Sequence, residues 1–251
     1  MQWQSYKNFS ELGNNQIHIW RTHLKQNSQQ ISALAKLLNQ EEQGKAEKFK
    51  VAQAKNNFII ARGTLRLLLA KYIDVEPKEI IFAHNSYGKP LLNSGLVNFN
   101  VSHSHDYALF IFAKNYQVGV DVERVRDNFD FMAIAQKFFS LQEAIDLANM
   151  PQEQQLQAFF NCWSRKEAFI KGIGKGIFFA LDKFAVEICT KTAGKLKLTI
   201  DTERLLELEQ DNWSLEALNP GNGYVGAFAV SGQDYKVSYY EVSSLQALCF
   251  L

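Results

Sequence analysis

Helix followed by strands occurs twice along this chain, once on each side of residue 117. The first helical pattern runs from about Ala54 to Tyr72, where Phe58, Ile59, Ala61, Leu65, Leu68, Leu69 and Tyr72 supply an apolar face at the 3.6-residue period. Pro77 blocks its continuation. "LVNFNVSH" and "YALFIFA" then read as strands joined through "SHSHD", and "QVGVDVE" follows as a third. Beyond it the order returns, with helical patterns over about 130–148 and 153–172 and then strand patterns from "KFAVEIC" to "KVSYYEV". This order predicts an α+β fold of two similar halves, residues 1–117 and 118–251, with the cleft between them as the natural place for a site.

Smaller elements fit around these. "IHIW" alternates like a strand, "SQQISALAKLLN" reads as a short helix capped by Ser28, "EIIFAH" reads as a strand, and "SYGKP" as a turn.

Composition narrows the function classes. Lys and Arg number 27 against 26 acids, so no global basic field exists to draw in nucleic acid, and any anion site must be local. Cys162, Cys189 and Cys249 are too few and too widely spaced for a disulfide framework or a CxxC metal site, which fits a reducing cytoplasm. The N-terminal "MQWQSYKNFSELGNNQ" lacks the basic and apolar regions of a secretory signal, and the apolar run "ALFIFA" is far too short to span a bilayer. A soluble, intracellular protein without a membrane partner is the expectation. Two halves in one chain make a monomer sufficient.

The stretch "VGVDVER" puts Val118, Val120 and Val122 on one strand face and Gly119, Asp121 and Glu123 on the other. Two like charges about 7 Å apart on one face ask for a cation. Arg124 or Arg126 would supply one, and so would a hard metal ion that prefers oxygen ligands. A second charge stands out downstream. On an ideal helix Leu156, Phe159, Phe160, Trp163 and Ile170 form one stripe, and Glu167 falls in its middle. Lys171, four residues on, is one partner for it; a metal shared with Asp121 and Glu123 is another. Three carboxylates with no His or Cys suit Mg²⁺, with Mn²⁺ as a substitute.

Together "YGKPLL", "FNVSHS", "VGVDVER" and "WSRKEAFIKGIGKG" resemble, in the same order, the signature blocks of the 4'-phosphopantetheinyl transferases of the larger, surfactin-synthetase-activating type. The more weakly similar "EKFKVAQAKNNFIIARGTLRLLLAKY" precedes them. The resemblance implies a pseudo-twofold pair of α+β halves, with coenzyme A phosphate contacts in the first and the metal-binding acids and catalytic helix in the second. It implies Mg²⁺-dependent transfer of phosphopantetheine from coenzyme A to a serine of an apo acyl or peptidyl carrier protein, releasing adenosine 3',5'-bisphosphate. Position by position, Asp121, Glu123 and Glu167 would bind the metal. Glu167 would also accept the serine proton, directly or through a metal-bound water, and Lys171 would stabilise or protonate the leaving phosphate. Lys45, Lys48, Lys89, Ser102 and His103 would contact coenzyme A, while Arg62 and Arg66 serve as phosphate or structural arginines.

"GIGKG" follows a helix instead of a strand and lacks a lysine-serine pair, so it is no nucleotide loop, and His105 receives no role. The Phe-rich "FDFMAIAQKFF" offers an apolar surface for a carrier. The competing readings are a non-catalytic coenzyme A or carrier-binding module, which has no need of all four of Asp121, Glu123, Glu167 and Lys171, and a phosphatase-like metal hydrolase.

Overall fold

The computed structural model describes residues 2–5, 10–176, 181–190, 194–200 and 212–242. Cys249 lies outside them. The first segment contains β1 (Gln4–Ser5), β2 (Gln16–His23), α1 (Ser28–Ala35), α2 (Gln40–Glu47), α3 (Ala52–Ile73), the hairpin β3 (Phe82–His84) and β4 (Pro90–Leu92), β5 (Asn98–Ser104) and β6 (Tyr107–Ala113). The second contains β7 (Val118–Arg124), α4 (Phe131–Phe138), α5 (Leu141–Asn149), α6 (Gln152–Ile173), β8 (Phe184–Val186), β9 (Gly194–Leu196), β10 (Leu198–Ile200), β11 (Trp213–Leu218), β12 (Tyr224–Ser231) and β13 (Lys236–Val242).

The fold is α+β, and its halves repeat one pairing scheme. In each, a strand precedes a 22-residue helix, and a later antiparallel pair returns its second strand to the first: β2-β6-β5 in one sheet, β7-β12-β11 in the other. The main departure is β13, which lies parallel to β2 in the first sheet although it is the last of the described strands.

Strand alternation divides the interior into layers. Trp20, Phe99, Phe110 and Phe112 pack with Leu65, Leu68 and Leu69 of α3. Ile17, Ile19, Leu109 and Ile111 face the other way, onto Val118, Val120, Val122, Phe228 and Val230. Leu215, Val225 and Ala229 pack with Phe159, Phe169 and Ile170 of α6.

Several local expectations change. The cap of α1 is Asn27, which forms a capping box with Gln30, in place of Ser28; both residue types cap well, and Asn27 has the extended backbone a cap needs. Helix α2 has too few apolar residues to show a helical period in sequence. The helical stretch after residue 130 is two helices, because Ser140 caps a new one by pairing with Glu143. Burial also surrounds α6 almost completely: between Ala158 and Gly172 only Trp163, Glu167 and Lys171 are half-exposed. Glu167 therefore sits on the helix's open stripe, not in the middle of a buried one. The buried polar side is Lys166, whose ammonium pairs with Glu143 at 2.7 Å and donates to the carbonyls of Leu181 and Phe184.

Candidate active site

The two sheets meet along β5 and β7. Every second residue of β5 is polar, and the last three of these accept a backbone N–H from β7: Asn100 from Val120 at 3.0 Å, Ser102 from Val122 at 3.4 Å, Ser104 from Arg124 at 3.1 Å. Each serine also donates its proton to an acid on β7, Ser102 to Asp121 Oδ1 at 2.8 Å and Ser104 to Glu123 Oε2 at 3.1 Å. The signal was present in "FNVSHS", where polar residues recur at the strand period.

Helix α6 lies directly on this strand. A Cβ at Gly119 would collide with the backbone of Ala168 and Gly172, so only glycine permits the approach. Close packing brings Lys171 onto Asp121, Nζ to Oδ1 at 2.6 Å, with a further bond to Ser102 Oγ at 3.0 Å. Lys171 thus pairs across the site instead of along its helix with Glu167. Burial is the largest single influence and opposes its charge, but Asp121, Glu167 and Glu123 together outweigh it and hold the ammonium above its ordinary range.

Lys171 faces three acids, with Arg126 adding a smaller influence on Glu123. Burial and then the Asp121 charge raise Glu123 to about 7 and push Glu167 up as well. Asp121 Oδ2 is buried and accepts no hydrogen bond. Among the described residues no three Asp, Glu, His or Cys side chains stand gathered as a metal cage. The donor set nonetheless fits a hard cation: it is all oxygen, short of positive charge, and includes the buried Asp121 Oδ2, which has no hydrogen-bond partner among the described residues.

Beside the cluster, a cavity of about 220 Å³ is lined by Lys45, Phe58, Arg62 and His103. Partial enclosure, and then the Lys171 charge, hold the His103 ring below its usual range. A second cavity of about 390 Å³ shares Lys45 and Arg62 and adds Lys78 and His84. Lys48, at the exposed end of α2, lines neither. Arg66 proves structural: fully buried, it donates to Glu42 at 2.7 Å and to the carbonyls of Pro77 and Ile80. Ser102, offered as a coenzyme A contact, here donates its proton to Asp121. Lys89 likewise turns inward, donating to Gly172 O at 2.8 Å and Val118 O at 3.2 Å. Of "FDFMAIAQKFF", Phe129 and Phe131 are half-buried against the core, Phe139 is 3% exposed, and Phe138 is the most exposed of the four phenylalanines.

Residues 117–229 match the 4'-phosphopantetheinyl transferase superfamily, and residues 18–115 match the N-terminal domain description of a 4'-phosphopantetheinyl transferase. The chain is 33% identical to the 4'-phosphopantetheinyl transferase HetI of Nostoc sp., over 90% of its own length and 92% of that relative's. It is 32% identical to psf-1 of Bacillus pumilus, over 67% and 72% of the two chains, and 28% identical to Sfp of Bacillus subtilis, over 60% and 66%. The acids of β7, the lysine of α6 and the matched span coincide, and the chain belongs to the 4'-phosphopantetheinyl transferase superfamily, as an enzyme of the transferase class.

Proposed function

We propose that this enzyme transfers the phosphopantetheine arm of coenzyme A to a serine of an apo acyl or peptidyl carrier protein, releasing adenosine 3',5'-bisphosphate. The observation that carries the reading is the cluster of Asp121, Glu123, Glu167 and Lys171 opening beside the basic cavity of Lys45 and His103. A neutral His103 and the Lys45 ammonium offer hydrogen bonds and charge to coenzyme A phosphates, with Arg62 behind them. Asp121, Glu123 and Glu167 would hold Mg²⁺, which when bound neutralises charge on the pyrophosphate.

Glu167 would accept the proton of the carrier serine as that oxygen bonds to the phosphorus nearest pantetheine. The phosphoanhydride bond breaks, and the Lys171 ammonium stabilises the departing phosphate. Phe138, Leu141 and Ile145 are exposed on α4 and α5, and Phe138 meets Trp163 edge-on at 6.0 Å, next to Glu167 on the same helical stripe. That continuity supports carrier docking there. Among the described residues no helix is long and apolar enough to cross a membrane. A cytoplasmic monomer is the corresponding proposal.

The test is the intact mass of an apo acyl carrier protein after incubation with the enzyme, coenzyme A and Mg²⁺, beside an EDTA control and Glu167→Ala. A gain of one phosphopantetheine, absent from both controls, is expected. No gain across several carriers despite coenzyme A binding would replace this reading with a binding module.

A further inference from the structure

An α-helix ends with carbonyls that its own backbone does not satisfy. In α6 the chain turns at Gly174 in the left-handed conformation, φ 71°, and the Gly174 N–H closes back on Ile170 O at 2.9 Å. The carbonyls of Gly172 and Gly174 then receive their donors from the other half of the molecule. Lys89 Nζ reaches Gly172 O at 2.8 Å, and Asn85 Nδ2 reaches Gly174 O at 2.8 Å. The same ammonium donates to Val118 O at the start of β7.

The turn that delivers both groups is itself braced. Asn85 Oδ1 accepts the N–H of Tyr87 at 3.0 Å and of Lys89 at 2.8 Å, and Asn85 N–H donates to Lys89 O at 3.0 Å. Contact is close enough that a Cβ on Gly174 would come within 2.9 Å of Asn85 Nδ2 and 3.0 Å of Lys89 Cδ. A cation at a helix C-terminus also has the favourable sign for the helix dipole. The anchored carbonyls adjoin the chemistry: Gly172 directly follows Lys171, and Val118 lies three residues before Asp121.

We propose that the Asn85–Lys89 turn is an external cap of α6 that fixes the register of Lys171 against Asp121, making Lys89 and Asn85 positioning residues for the transfer and Lys89 no ligand of coenzyme A. The inference rests on the role given to Lys171 above. Its signature is a helix end held from outside, which can be read without any turnover.

The experiment compares Lys89→Met, Lys89→Arg and Asn85→Ala in the full chain. Amide hydrogen exchange without ligand is expected to quicken about tenfold or more over residues 168–176 in Lys89→Met, less in Asn85→Ala, with α3 unchanged. Lys89→Arg keeps a cationic donor and restores much of the protection. Calorimetric coenzyme A affinity should stay within about twofold in Asn85→Ala and Lys89→Met, while kcat falls about tenfold. Unchanged exchange in Lys89→Met and Asn85→Ala overturns the proposal, and a tenfold weaker coenzyme A affinity with unchanged exchange makes Lys89 a phosphate ligand. Should Lys89→Met not fold, Asn85→Ala alone decides by the same criteria. Wild-type protein that transfers nothing would defeat the proposed function, whereas the exchange result would still decide the cap.

Discussion

Lys171 and Asp121 stand fifty residues apart in sequence and 2.6 Å apart in space, joining the helix of the second half to its first strand. Both also bond to Ser102, so one amine links three elements. Lys171→Met is expected to lower transfer about a hundredfold or more, as loss of a charge-stabilising donor does. It should also destabilise by about 2 kcal/mol, below the range for fully buried pairs because Lys171 is 29% exposed while Asp121 is 3% exposed. Carrier mass shift and urea unfolding read the two effects separately.

Gly119→Ala tests the approach of helix to strand. The added methyl meets backbone of Ala168 and Gly172, which cannot rotate away, so α6 must lift or β7 must bend. A loss of roughly 3 kcal/mol or more is expected in chemical denaturation, with transfer activity falling further than stability explains. A near-neutral result would mean that the helix is not seated on this strand.

His18 gives the protein an acid limit. Fully buried beside Tyr72, with Nδ1 2.9 Å from the phenol oxygen, it is lowered by burial to about 4. The unfolded chain takes up its proton near pH 6.5 and the folded protein does so only near 4, so the unfolded state binds more protons between them. This contribution is whole above pH 6.5 and is lost as pH falls through 4, by roughly 3 kcal/mol in all. His18→Gln should flatten the stability curve in that window; an unchanged slope would refute the assignment.

The docking face separates from the chemistry in kinetics. Replacing exposed Leu141 and Ile145 by Ser is expected to raise KM for the carrier several-fold, with KM for coenzyme A and thermal stability unchanged. An unaltered carrier KM would sink the placement.

The sequence disclosed what depends on local period. Alternation put Asp121 and Glu123 together on the face away from the valines, and the structure turns that face to α6. What depends on distant partners stayed hidden. Helical spacing offered Glu167 as the neighbour of Lys171, whereas Asp121 lies beyond any helical period. Lys166 and Glu143 look like surface charges by residue type, yet each finds the other and several backbone groups in the core. Lys89 read as a coenzyme A contact on a turn, since nothing nearby in sequence names carbonyls at residues 118 and 172.

Strand β13 has a consequence for how the molecule is made. It fills the place between β1 and β2, so the first sheet lacks an inner strand until residues 236–242 have left the ribosome. Closing that pairing spans more than two hundred residues, and contacts so remote form late. The first sheet, from the segment that bears the basic cavity, is therefore completed only after the segment bearing the acids has been synthesised.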